Sequence, residues 1–215
     1  INESGIQLDK TVAYPEGGGQ EGDRGVIIDA TEREVPFVDT QKGLGRTLYL
    51  KGFPVINVET PIFHRIVSQD NSSLRTGETV LVRIDTSRRA RLTVSHTACH
   101  LLLVAANRVN NESEKNVTGC HITEEYARLD FTLPERFVAE QLVEIEQTIN
   151  SLGERNLPIR TFAHDDEPEA WYWECDGHIM PCGGTHLEST GPVGRASVKR
   201  KNMGKGKERL IVTFP

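Results

Sequence analysis

A thiol and an imidazole stand four residues apart in Pro181-Cys182-Gly183-Gly184-Thr185-His186. The two glycines between them disfavour a continuous helix, so the segment reads as a tight turn that brings Cys182 and His186 to one point. Upstream, in His96-Thr97-Ala98-Cys99-His100, two histidines at i and i+4 share one helix face. One cysteine and three histidines make a ligand set of the kind that closes a tetrahedral metal site. This donor mix favours Zn2+, one per chain, over Mg2+ or Ca2+, which take oxygen. A His-Glu-x-x-His metalloprotease is excluded, because Thr97 stands where its glutamate would be. Either pair alone would be ordinary; both in one chain make a candidate site. Cys175 and His178 are rival ligands that read better as a loop beside it. Cys99 falls on the metal face of the helix, and Cys120 on a neighbouring strand.

Two further stretches could do chemistry. In Tyr14-Pro15-Glu16-Gly17-Gly18-Gly19-Gln20, three glycines expose backbone that can approach a small ligand closely. It lacks the Gly-Lys-Ser/Thr ending of a phosphate-binding P-loop. Near the C-terminus, Lys199, Arg200, Lys201, Lys205, Lys207 and Arg209 crowd together against the single acid Glu208. In a chain of net charge −6 this concentration is a candidate for phosphate-backbone contacts. Arg83, Arg88, Arg89 and Arg91 form a smaller basic cluster.

The elements that must position these residues divide the chain in two. Residues 1–84 carry short β-type runs punctuated by Gly, Pro and Asn, the pattern of a small barrel-like domain holding the Gly-rich loop. The runs are Gly5 to Tyr14, Gly25 to Ile28, Val35 to Asp39, Thr47 to Leu50, Ile62 to Val67 and Thr79 to Asp85. From Thr86 to Asn110 there is neither Gly nor Pro, and Leu92, His96, Cys99, His100 and Leu103 recur at helical spacing, with Asp85 or Thr86 placed to cap the start. Val117 to Ile122 and Tyr126 to Thr132 read as strands, and Phe137 to Leu152 as an amphipathic helix ending near Gly153. Pro158 to His164 reads as strand and Glu167 to Tyr172 as a short helix. Val193 to Lys201 and Arg209 to Phe214 form a terminal hairpin. Residues 85–215 are therefore an α+β domain, with helices on an antiparallel sheet.

Composition sets the outer bounds. Hydrophobic residues make up 37% of the 215, enough for a core. No apolar run approaches the roughly 20 residues needed to cross a bilayer, and Ile1-Asn2-Glu3-Ser4 is not a signal peptide. Four irregularly spaced cysteines do not form a secreted disulfide framework, so a reducing, cytoplasmic setting is expected.

The Gly-rich Tyr14–Gln20 stretch, His-x3-His, Cys-Gly-Gly-Thr-His and the following Thr190-Gly191-Pro192-Val193-Gly194 occur in this order over nearly the full length. So arranged, the chain resembles the editing domain of alanyl-tRNA synthetase and its AlaX relatives. The resemblance implies zinc on His96, His100, Cys182 and His186, and hydrolysis of mischarged tRNA(Ala), chiefly Ser-tRNA(Ala) and also Gly-tRNA(Ala). With tRNA(Ala) as the RNA, the basic residues Lys199, Arg200, Lys201, Lys205, Lys207 and Arg209 are the candidates for contact with its acceptor end. Gly17, Gly18, Gly19, Gln20, Thr97, Cys99 and Cys120 are the residues expected to border the amino-acid pocket; no catalytic base is singled out. Cys99 and Cys120 depart from the family's usual Thr or small apolar residue and Ser. Editing of another aminoacyl-tRNA is therefore an alternative, as is a non-catalytic zinc-organised tRNA-binding module.

Overall fold

The computed structural model describes residues 5–66, 74–204 and 206–215. These form an α+β chain of antiparallel sheets with two α-helices, in two compact units. The first comprises Ile1–Gly17 with Glu21–Arg89, the second Gly18–Gln20 with Ala90–Pro215.

In the first unit, β1 (Ile6–Gln7), β2 (Gly25–Ile28), β3 (Glu34–Lys42), β6 (Ile62–Ile66) and β7 (Leu81–Ile84) form one antiparallel sheet in the order β1-β6-β3-β2-β7. β3 alternates buried Val35 and Phe37 with exposed neighbours, and these pack with Ile6, Ala13 and Ile27. β4 (Arg46–Leu48) and β5 (Ile56–Val58) make a separate hairpin. The expected barrel does not close among the described residues: β1 and β7 are the sheet's two edges. The reason lies in the Gly5–Tyr14 run, of which only Ile6–Gln7 is strand. Asp9 accepts from the Lys10 amide at 2.8 Å and Thr11 Oγ1 from the Ala13 amide at 3.1 Å, local bonds that turn the chain away from a ladder. Val67, the expected end of β6, lies outside the described residues.

In the second unit, β8 (Val117–Ile122), β9 (Tyr126–Thr132), β13 (Ser197–Asn202) and β14 (Lys207–Thr213) form a four-stranded sheet in the order β13-β14-β9-β8. Helix α1 (Thr86–Val109), which belongs to this unit from Ala90 onward, begins at Asp85, whose Oδ1 accepts from the Arg88 amide at 3.0 Å, an N-cap. From Ser95 to Leu102 every residue of α1 is buried. Helix α2 (Ala139–Glu154) lies against β13 and buries Ile145, Ile149 and Leu152. It starts two residues later than expected, because Phe137 instead enters the core, edge-on to Phe131.

The Glu167–Tyr172 stretch is strand and not helix. β10 (Arg160–His164), β11 (Glu167–Cys175) and β12 (His178–Pro181) form a three-stranded antiparallel sheet. Asp176 and Gly177, with φ of 50° and 77°, make the two-residue turn between β11 and β12. That is the backbone of a type I′ hairpin, which Asp-Gly favours. Cys175 and His178 thus face each other across a hairpin end. Fully buried Trp173 on β11 packs against His100 of α1.

Candidate metal centre

Helix α1 supplies His96 and His100, and the segment after β12 supplies Cys182 and His186. One ligand atom from each of the four lies within 4.8 Å of all the others. Cys182 Sγ is 3.4 Å from His96 Nε2 and 3.2 Å from His186 Nε2. Such separations match the edges of a tetrahedron whose metal–nitrogen and metal–sulfur bonds are about 2.0–2.3 Å long. The donor set therefore fits a metal ion, which these four residues could hold.

Burial prepares the donors. It holds His96 down to about 3, and lowers His100 and His186 well below the ordinary histidine value, with the neighbouring histidines adding to the last two shifts. All three rings are thus neutral at pH 7 and keep a lone pair for a metal. Burial pushes the Cys182 thiol in the opposite direction, up to about 11. A cation bound there would reverse that shift by favouring the thiolate.

Gln20 fixes which nitrogen of His96 is offered. Its Oε1 lies 2.6 Å from His96 Nδ1 and also accepts from the Thr185 amide at 3.1 Å and the Thr185 hydroxyl at 3.2 Å. The backbone amide can only donate, so this atom is the carbonyl oxygen, and His96 Nδ1 must carry a proton. Nε2 is left to face Cys182. Such outer-shell bonds set ring orientation and tautomer in metal sites. Gln20 is fully buried, and its Nε2 has no hydrogen-bond partner among the described residues.

The glycines act here by what they lack. A Cβ on Gly184 would stand 3.1 Å from His96 Nε2 and nearer still to Cε1 and Nδ1, so only glycine lets the turn lie on the imidazole. Gly183 has open space instead. Gly18 and Gly19 adopt positive φ, 58° and 81°. That conformation lets the Gly19 carbonyl accept from the Ile122 amide at 2.8 Å, while Gln20 bridges Ile122 in parallel along β8. A Cβ on Gly19 would press on the Cys120 thiol; one on Gly18 would meet nothing within 4 Å.

The other expected pocket residues divide. Cys120 borders the loop, its thiol donating to the Gly18 carbonyl at 3.2 Å. Gly17 belongs to the first unit, where its carbonyl accepts from the Tyr14 hydroxyl at 3.2 Å. Thr97 is fully buried: its hydroxyl donates to the Thr93 carbonyl at 2.9 Å and accepts from the Leu187 amide at 3.1 Å, tying α1 to the turn. Cys99 is buried in the core with Leu102 and Ile122.

The basic stretches also divide. The Arg209 fork grips Asp130 at 2.7 and 2.9 Å, and Arg200 donates to the Phe137 carbonyl while its Nε lies 3.4 Å from buried Glu208. Lys199, Lys201 and Lys207 are exposed; Lys205 lies outside the described residues. In the upstream cluster, Arg83 pairs with Glu34, Arg88 with Glu21 and Arg89 with Asp23, whereas Arg91 donates to the Glu124 carbonyl. Sequence reasoning missed Trp173, whose ring centroid is 4.7 Å from that of His100. Its signal was the Asp176-Gly177 turn, which makes the aromatic run before it a strand.

No helix among the described residues is long and apolar enough to cross a membrane, and no family model matches the chain. The chain is 34% identical to an alanine–tRNA ligase of Methanopyrus kandleri and to one of Ignicoccus hospitalis, over 95% and 92% of its length. Against the enzyme of Methanococcus maripaludis it is 31% identical over 98%. In each case it spans only 22–23% of the ligase. By sequence, then, this chain is a member of the family formed by the AlaX proteins and the corresponding segment of alanine–tRNA ligases.

Proposed function

We propose that this chain hydrolyses the ester joining a mischarged amino acid to the terminal adenosine of tRNA(Ala), chiefly serine, with glycine as a second target. The observation that carries this reading is Gln20. A residue of the Gly-rich loop holds His96 of the four-ligand cluster with one amide atom and keeps the other as a buried donor with no partner among the described residues. The similarity to alanine–tRNA ligases supports tRNA(Ala) as the RNA and translation in the cytoplasm as the setting.

A synthetase pocket sized for alanine cannot strongly reject serine, which only adds a hydroxyl. A second site that hydrogen-bonds that hydroxyl discriminates far better, because alanine would leave its polar groups unpaired. Gln20 Nε2 is such a group, and in this reading the Cys120 thiol, bonded to the Gly18 carbonyl, and the Gly18–Gly19 backbone would line the pocket with it. Thr97 and Thr185 are positioning residues: they hold the turn so that Cys182 and His186 face α1. One zinc ion on His96, His100, Cys182 and His186 would fix the turn against α1, and would polarise the ester carbonyl or the attacking water once one of the four ligands yields its position or the shell expands to five. Thiolate and imidazole ligands favour zinc over harder cations.

The test is deacylation of Ser-, Gly- and Ala-tRNA(Ala), with and without a chelator. The reading expects hydrolysis of Ser-tRNA(Ala), sparing of Ala-tRNA(Ala), and loss of activity on metal removal with recovery on adding zinc. RNA binding without hydrolysis of any ester would overturn it in favour of a binding module. Hydrolysis of a different aminoacyl-tRNA alone would overturn the serine assignment.

A further inference from the structure

We infer that the outer face of the four-stranded sheet binds the sugar-phosphate backbone of an RNA duplex. The pairing register carries this. Lys201 stands opposite Arg209, Arg209 opposite Asp130, and Lys199 opposite Ile211, which stands opposite Arg128. Residues paired across antiparallel strands, and those two apart along one strand, share a face. Lys199, Lys201, Lys207, Arg209 and Arg128 therefore lie on one side of the sheet, with Asp130 the only acid among them. The buried Phe131, Leu129, Glu208, Leu210 and Val212 point to the other side. Arg200 and Glu208 of the basic stretch alternate away from this face, and Arg128 joins it from a strand some seventy residues earlier.

The face is built for phosphate. Asp130 holds the Arg209 fork and Arg128 together from either side, so two guanidiniums are pre-ordered around one carboxylate and the cluster keeps a net positive charge. The three lysines are exposed around it. Lys199 and Lys201 are roughly 6.7 Å apart along β13, and strands are about 4.8 Å apart, giving a grid of cations over the strands. Such a surface reads backbone shape and charge, which is how duplex RNA is recognised. At the β8 side, His121 and Tyr126 place their rings edge to face, 6.1 Å apart, on the same face. There β8 carries the Gly18–Gln20 segment on its far edge. A duplex lying over the lysines and running towards β8 would thus bring its end to the strand that borders Gln20. The identity of the RNA as an acceptor stem rests on the function proposed above; the face does not.

The test measures the affinity of an uncharged acceptor-stem RNA hairpin as salt is raised. Three proteins are compared: the unaltered chain, Lys199→Ala/Lys201→Ala/Lys207→Ala, and the charge-matched Lys10→Ala/Lys51→Ala/Lys115→Ala. The first triple should lower the log–log salt slope by about 0.9 per lost contact, or roughly eightfold in affinity at 0.1 M salt relative to 1 M for each. The second should change affinity less than twofold. Arg128→Gln, outside the C-terminal stretch, should lose about one contact on the same scale if its circular dichroism is unchanged. An unaltered slope in the first triple, or equal losses in both, would overturn the inference. Duplex binding with this signature but no ester hydrolysis would sink the hydrolase reading alone; hydrolysis with an unaltered slope would sink the sheet face alone.

Discussion

Replacing Gly184 with alanine tests whether the turn and the helix form one preorganised site. The new methyl would sit 3.1 Å from His96 Nε2 and closer to Cε1 and Nδ1, against an optimal carbon separation of about 3.5–4.0 Å. Backbone on one side and buried α1 on the other leave the imidazole to move, by ~1 Å or more. Its 2.6 Å bond to Gln20 and its 3.4 Å approach to Cys182 would both be lost. Overpacking of this kind costs about 1–3 kcal/mol, and an unpaired buried polar group a similar amount. Loss of outer-shell support alone weakens metal binding by about 10–100-fold. With the ligand itself displaced, at least the upper end of that range is expected. The assay is a zinc competition titration against a chromophoric chelator, with denaturant unfolding of the metal-free protein alongside. Gly183→Ala is the control, since its methyl would meet nothing within 4 Å, and it should keep metal affinity within a few-fold. Equal affinities for Gly184→Ala and the unaltered chain, or equal damage from both substitutions, would refute the reasoning.

Gln20→Glu keeps an oxygen for His96 and Thr185 but removes the Nε2 donor. It should retain zinc by elemental analysis while slowing Ser-tRNA(Ala) hydrolysis about 10–100-fold, whereas Gln20→Ala should lose both. Zinc affinity should rise about tenfold per pH unit between pH 6 and 9. Only the Cys182 thiol, at about 11 in the metal-free protein, must release a proton, since His96 is already neutral down to about 3. A release of about three protons at pH 6 would show that the histidines titrate as in an unfolded chain. The metal-free protein should lose stability as pH falls below the unfolded histidine value near 6.5, by about 1.4 kcal/mol per unit for each buried histidine, because all three are held below that value. Acid unfolding followed by fluorescence would check this. Gly19→Ala should destabilise more than Gly18→Ala: both sit at positive φ, but only the first methyl collides with Cys120.

What could be read from the sequence was local. The i, i+4 histidines, the absence of Gly and Pro across α1, and the period-two run of β9 follow from single-element geometry. Barrel closure could not be read, because it depends on whether distant edges pair, and here the first edge spends its residues on local side-chain bonds. The Asp176-Gly177 signal was present but was outweighed by an acidic, aromatic stretch that mimics helix composition. The partition of the C-terminal basic stretch was half legible: strand alternation separates Arg200 from Lys199 and Lys201. Its completion by Arg128 required the β14–β9 register. Gln20 was visible as a loop residue, but its hold on His96 joins positions that no periodicity links.

Glu208 gives the terminal hairpin a further property. Its side chain is 1% exposed on the inner side of β14, with Arg200 Nε at 3.4 Å and Arg136 Nε at 3.8 Å. A one-residue slip of β14 against β9 would turn this carboxylate outward among the lysines and drive Arg209 into the apolar interior. Both changes are costly, one by cancelling the cationic grid and the other by burying a charge without its partner. Glu208 therefore acts as an alignment key: the sheet can zip up in the register that exposes its positive face, and the neighbouring registers are penalised before any RNA arrives.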